Sequence, residues 1–560
     1  MDFQAAMNLL VNIYPYYILF VFSILLIVLV LNLKTILSSF KDIKRKTWLV
    51  LIIMIGVILI LKFYFSYFSY QTVDQESLYL GLAHSIAEKQ SSCSCVFKEG
   101  NVCHICEPML PPVFSTLYSL LFIPTSKTLF TINLLISALT MFAVFLLIYV
   151  IFKDEIQALI GSALLGLTPV HWKLSTTASV QIELLFFVLL SLFFFFLYLK
   201  NKTLFFESES SGLLLLSLLA LIFALNLTGE FLVMLSLYVI LFFSEGFFSR
   251  NHINSSNWKN YIITFLVFVF LLSFQIFYGM IYVETASPPL TKGSKMFVFN
   301  EFYATRANLV DNLSDNIKFF FSNTTHPIIL TIFSLAGIFL MLRKSSESKR
   351  LCLFLLVWFL SFFIFKTSIS TYNDFLTFTN VSGWQSTIIL YLPIIIFSSY
   401  SLNKLLAKSS LRKTVFPSAI LLLVISLYFT YPFINSKTYF QQAYELFKER
   451  KEIGSTNCLL ATVFYPEHAN NYVIPGQIRA YNTKEELINK INTDCVITVS
   501  FLSDVDLDYL SEDIPIKDPT HTILTQMFNI SYKKSSFQKT FGIYNLSREE
   551  FIQYFNKIYR

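Results

Sequence analysis

Glycine and proline are scarce in this 560-residue chain, at 15 and 16 residues, which excludes collagen-like repeats and long low-complexity linkers. Charge is scarce as well. Charged residues make up 14% of the sequence, against about 25% in a soluble globular chain. The formal balance of +7 is too small to argue for nucleic acid as a partner. No lysine or arginine precedes Lys34, so the opening Met1-Asp2-Phe3-Gln4 lacks the basic segment of a cleaved secretory signal. What the chain has in abundance is apolar surface: 55% hydrophobic residues, 61 of the residues being phenylalanine. That composition belongs to a multi-pass α-helical membrane protein.

Apolar runs recur at roughly 14–33, 48–66, 127–152, 156–173, 182–199, 212–227, 231–248, 261–283, 326–342, 351–366, 384–402 and 415–433, about twelve spans by the length a bilayer core requires. Lysine and arginine in short loops orient such a chain. Lys41, Lys44, Arg45 and Lys46 follow the first run, Arg343, Lys344, Lys349 and Arg350 follow the ninth, and Lys404, Lys408, Arg412 and Lys413 follow the eleventh. If every run crosses once, these loops share the cytoplasmic side. Residues 67–126, 284–325 and the tail 434–560 then lie outside. The expected division is an N-terminal span with a basic loop over 1–47, a membrane domain over 48–433 and a small outer domain over 434–560.

The first outer loop opens with Tyr67-Phe68-Ser69-Tyr70-Gln71-Thr72-Val73-Asp74-Gln75-Glu76-Ser77-Leu78-Tyr79. Two carboxylates about one turn beyond a span form a candidate site, because charge at membrane depth is costly and is usually retained for function. The plainer alternative is a solvated helix start, where acids suit the first turn. Further along, Pro111-Pro112-Val113-Phe114-Ser115-Thr116-Leu117-Tyr118-Ser119-Leu120-Leu121-Phe122 is too short to span and reads as an interfacial helix opened by proline. Between them stand Cys93, Cys95, Cys103 and Cys106. Outside the membrane this C-x-C…C-x-x-C pattern fits two disulfides. The same spacing fits a structural zinc with His104 as a substitute ligand, and spacing leaves free thiols open too.

The tail changes character. Leu459–Phe464 and Cys495–Val499 are strand-like, Thr483–Lys490 reads as a helix, and Phe541–Tyr544 as a further strand, which describes a small α/β domain. Cys458 and Cys495 flank its helix and are candidates for another disulfide. Cys352 lies within an apolar run and reads as inert core.

In this order the pieces resemble the GT-C class of membrane glycosyltransferases, most of all the protein O-mannosyltransferase and aminoarabinose-transferase branch. The resemblance covers about Trp48 to Leu405. It rests on Asp74-Gln75-Glu76-Ser77-Leu78-Tyr79, Pro111-Pro112-Val113-Phe114, Leu167-Thr168-Pro169 and Ser175-Thr176-Thr177-Ala178-Ser179-Val180-Gln181-Ile182-Glu183. It implies a GT-C-like membrane domain and a polyprenyl- or dolichyl-phosphate-linked sugar, dolichyl-phosphate mannose among them, as donor. The acceptor is a hydroxyl on a protein or glycolipid at the outer face of the cell envelope. By the same resemblance Asp74 is the catalytic base, Glu76 its helper and Glu183 a second acid; a first-turn helix carboxylate is the plain alternative for Glu183. One positioned base contributes about 10²–10⁴-fold. A divalent metal is compatible with Asp74-x-Glu76, but a monophosphate leaving group does not require it, so no catalytic metal is expected.

The departing phosphate needs positive charge. The family commonly carries an arginine before a late span, where this chain reads Ser382-Gly383-Trp384-Gln385-Ser386. The substitutes on offer are Lys292, Lys295, Arg306 and Lys366, with Tyr79 near the acids. The Trp-Trp-Asp-Tyr-Gly signature of oligosaccharyltransferases is missing from the tail. The competing classes are a polytopic transporter or lipid flippase, which would show repeats and broken spans carrying midplane charges, and an inactive GT-C-like scaffold that binds a polyprenyl lipid.

Overall fold

The computed structural model describes residues 3–66, 82–88, 92–99, 102–108, 112–124, 126–177, 180–204, 210–227, 258–286, 316–321, 326–369 and 387–407. It also describes positions 428 and 431 and the tail strands 459–462, 477–478, 495–500 and 542–547. The helices are α1 (Phe3–Leu31), α2 (Leu33–Ser38), α3 (Arg45–Ser66), α4 (82–88), α5 (Val113–Ser119), α6 (Ser126–Phe152), α7 (Glu155–Leu167), α8 (Pro169–Ser175), α9 (Gln181–Leu204), α10 (Ser210–Leu227), α11 (Trp258–Ala286), α12 (Ile328–Leu342), α13 (Ser346–Ile369) and α14 (Tyr391–Ala407), the last entered through a 3₁₀ turn at Thr387–Leu390.

Most of the apolar runs coincide with described helices, while the run at 231–248, and that at 415–433 apart from positions 428 and 431, lie outside the described residues. Among the described residues five helices are long and apolar enough to cross a membrane, in α1, α3, α6, α9 and the Thr387–Ala407 segment. Shorter apolar helices occur at Glu155–Leu167, Gly212–Leu227, Ile262–Tyr278 and Ile328–Leu342. Their outward faces are apolar too: Ile52, Ile60 and Phe63 on α3, and Ile263, Phe265 and Phe270 on α11, the last 73% exposed. Helices that satisfy their own backbone while presenting such side chains suit a lipid surroundings rather than water. The chain is a helical membrane protein.

Two boundaries differ from the periodicity. The first helix begins near residue 3, not 14, and carries Pro15 inside it. The run 156–173 breaks in two, with α7 ending at Leu167 and α8 starting at Pro169. Proline has no N–H to continue the ladder and restricts the residue before it to extended backbone; Thr168 obliges with φ −64° and ψ 127°.

The chain forms two compact units. The first comprises Met1–Ser69, Ala83–Cys93 and Pro108–Ser436; the second comprises Tyr70–Leu82, Ser94–Glu107 and Lys437–Arg560. In the first, α9 and α10 pack along each other, α6 lies on α7 and α9, and α12 pairs with α14. Gly337 sets that last contact. A Cβ there would meet the Phe397 carbonyl oxygen at 2.1 Å, so only glycine lets the two backbones approach so closely. The N-terminal helix joins the same unit. Tyr14 donates to the Asn226 side chain and stacks on Tyr278 at 3.8 Å, and the Ser92 hydroxyl and N–H both donate to the Val11 carbonyl at 2.8 and 3.0 Å.

In the second unit, β3 (Leu459–Thr462), β4 (Gln477–Ile478), β5 (Cys495–Ser500) and β6 (Gly542–Ser547) form a sheet in the order β4-β3-β5-β6. The β3–β4 and β3–β5 pairs are parallel and β5–β6 is antiparallel. The expected helix at 483–490 lies outside the described residues.

Candidate active site

Proline 112 is the N-cap of α5, and it has neither a side-chain acceptor nor an N–H. The first N–H groups of α5 therefore need an acceptor from elsewhere. Glu183, in the first turn of α9, provides it. Its carboxylate is 1% exposed, accepts the Val113 N–H at 2.8 Å and faces the N–H groups of Phe114 and Ser115. One turn further along α9, Phe187 stacks on Phe114 at 5.6 Å with 12° between the rings. Phe223 of α10 packs on Phe187 at 4.9 Å, and Phe22 of α1 meets Phe114 edge-on at 6.0 Å. The Pro-Pro helix is thus gripped at its start by a carboxylate and an aromatic pair. Just beyond it Leu121, Phe122 and Ile123 are 76%, 59% and 64% exposed, the apolar edge expected of an interfacial element.

A second polar cluster lies beside α8. Lys62, four residues before the end of α3, is 0% exposed, and its Nζ stands 2.9 Å from Nδ1 of His171, also 0% exposed. The other ring nitrogen, Nε2, is 2.8 Å from the Thr140 hydroxyl, which donates to the Ser137 carbonyl at 2.7 Å. An ammonium has no lone pair to offer, so with Lys62 charged Nδ1 is the acceptor and Nε2–H donates to Thr140. Every bond in the chain then has one direction, ending on a backbone carbonyl. Lys173, 3% exposed, is on the same short helix. The connection to α9 is held by Asn133, which donates to the Thr177 carbonyl at 2.5 Å.

Of the residues expected from sequence, Asp74, Glu76, Tyr79, Lys292, Lys295, Arg306 and Cys458 lie outside the described residues. Lys366 is on α13, near its end. Cys93 and Cys95 fall on β1 (Cys93–Glu99), Cys103 and Cys106 on β2 (Val102–Pro108), and these strands pair into a two-stranded sheet. The link Gly100-Asn101 is two residues long, which only an antiparallel hairpin permits. Cys495 is on β5; the side chains of all these strand cysteines lie outside the described residues, whereas Cys352 is a buried free thiol. Among the described residues no group of three or more His, Cys, Asp or Glu could hold a metal ion. Sequence reading passed over Lys62 and His171. The available signal was a lone lysine inside the otherwise apolar stretch Trp48–Phe65.

Comparison with solved structures decides the architecture. ArnT from Cupriavidus metallidurans bound to undecaprenyl phosphate aligns with a TM-score of 0.54 at 12% identity, over 84% of this chain and 95% of that one. The fold is that of the GT-C glycosyltransferases. The archaeal oligosaccharyltransferase AglB from Archaeoglobus fulgidus, in complex with an inhibitory peptide and a dolichol-phosphate, aligns with a TM-score of 0.50 at 13% identity, over 82% of this chain and 70% of that one. The same oligosaccharyltransferase tethered to an acceptor peptide gives 0.51 at 13% identity, over 84% and 70%. No family model matches the sequence, and no curated protein is significantly similar to it. The GT-C architecture therefore rests on the arrangement of the helices and not on sequence identity.

Proposed function

We propose that this protein is a GT-C-type glycosyltransferase. It moves a sugar, a hexose such as mannose, from a polyprenyl- or dolichyl-phosphate carrier to a hydroxyl of a protein or glycolipid on the outer face of the membrane. The observation that carries this reading is the alignment along nearly the whole of a membrane protein captured with undecaprenyl phosphate. The motif order in the sequence supports it, with Asp74 just beyond α3 and the Pro-Pro helix following.

In this reading Asp74 takes the proton of the acceptor hydroxyl, the oxygen attacks the anomeric carbon, and the bond from that carbon to the phosphate oxygen breaks. A single displacement inverts the centre. Glu76 assists Asp74 by like-charge proximity. Glu183 acts as a positioning residue: it fixes the start of α5, the helix that follows the first loop in sequence.

The test gives purified protein a radiolabelled hexose on polyprenyl phosphate and measures transfer and release of the lipid phosphate. Release by the wild type and a loss of about 10²–10⁴-fold in Asp74→Asn are expected. No release with any of a range of hexoses would sink the enzyme reading, whereas equal release by Asp74→Asn would sink only the assignment of the base.

A further inference from the structure

Lys62 is a fully buried lysine, and among the described residues no carboxylate is paired with it. As an ammonium it has three N–H donors. His171 accepts one, and among the described residues no other side chain or carbonyl is bonded to it. Enclosing an ammonium costs several kcal/mol even after relaxation, and a charge kept inside an apolar helix marks a function by default. Bracing α3 against α8 does not require it, since a neutral amide would donate to His171 equally well. The Ser137–Thr140–His171 chain instead holds the nitrogen in place and leaves two donors to spend. A second cationic side chain, Lys173, is buried on the same helix as His171.

We infer that Lys62, oriented by His171, receives the phosphate of the lipid carrier. The inference rests on the glycosyl-transfer reading above. It answers the question of charge that the sequence raised: no arginine stands in the Ser382–Ser386 stretch, and Lys62 is offered in its place. As the bond between the anomeric carbon and the phosphate oxygen breaks, both its electrons stay with the phosphate, which leaves as the lipid monophosphate dianion, and the acceptor's proton passes to the general base. The growing negative charge favours the ammonium form of Lys62 and meets it out of bulk water, where such a contact is strongest. Lys62 lies about 6 Å along the axis from the end of α3, at four residues of 1.5 Å rise each. That is the end that leads into the first loop. One turn nearer that end, Phe65 packs on Trp172 at 6.4 Å and on Tyr431 at 6.2 Å. This aromatic layer must part for a headgroup to reach the nitrogen.

The test uses the full chain in detergent with three probes: a short-chain prenyl monophosphate, the matching prenyl alcohol and inorganic phosphate. Affinity is read from the rise of melting temperature with probe concentration. The wild type is expected to prefer the monophosphate over the alcohol by about 10–100-fold, the range a hydrogen bond to a charged group supports. Lys62→Met should lose that preference while binding the alcohol unchanged, Lys62→Arg should keep it, and His171→Asn should reduce it by about 3–10-fold. Lys62→Gln, which still donates to His171, takes the place of Lys62→Met where the latter fails to fold. A preference that survives the loss of the charge overturns the role of Lys62 and leaves the glycosyl-transfer reading standing. No preference in the wild type overturns both. Inorganic phosphate binding as tightly as the prenyl ester overturns the lipid carrier as the source of the anion.

Discussion

Glu183 shows how a residue that looks like one thing in a sequence acquires its role from another part of the chain. Its place in the first turn of α9 suits that helix's own dipole, yet the carboxylate reaches the N–H groups of α5, seventy positions earlier. Removing it leaves those donors buried without an acceptor. Glu183→Ala is expected to cost about 1–3 kcal/mol of stability, read as a lowered melting temperature in detergent, while Glu183→Gln, whose amide oxygen still accepts, should recover most of the loss. Should Glu183→Gln melt with Glu183→Ala, the capping account would fail. The same scale holds the catalytic prediction for Asp74→Asn, which should lower transfer by about 10²–10⁴-fold without lowering the melting temperature.

At the scale of elements, glycine content that looks merely low turns out to matter at one crossing. Gly337→Ala puts a methyl group against the Phe397 carbonyl, a backbone atom that cannot swing aside. Gly161→Ala puts one against Cδ1 of Ile148, the far end of a flexible side chain. Gly337→Ala should therefore lower the melting temperature clearly more than Gly161→Ala, by an overpacking cost of about 1–3 kcal/mol. Equal effects would mean that the α12–α14 contact tolerates separation. The hairpin of β1 and β2 is the other element whose importance the sequence understated, since its cysteines suggested cross-links or zinc and gave no hint of paired strands. Alkylation of the denatured protein with and without prior reduction distinguishes the cysteine chemistries. Two disulfides predict four thiols that appear only on reduction; a zinc site or free thiols predict that they react without it.

For the whole molecule, the loop charges make a prediction about sidedness. Reporter fusions ending after Lys46 and after Arg350 should both report the cytoplasm, and a fusion at Arg560 the opposite side. A split between the first two would mean that some apolar run does not cross. The sequence by itself determined the solvent of this protein, because 55% apolar residues in repeated long runs have no stable home in water, and it determined where most helices lie. It also made the Pro-Pro helix legible, since proline acts locally through its fixed φ and missing N–H. The partners were decided only in three dimensions. That Glu183 caps α5, that Phe114 lies on Phe187, and that Lys62 is sealed against His171 depend on which helices become neighbours. Contacts between residues 70 and 109 positions apart leave no periodic trace in a chain whose helices are nearly all apolar. The physical reason is the uniformity of the background: where almost every position is hydrophobic, pattern reports that a helix exists, and only packing reports which face of it carries the chemistry.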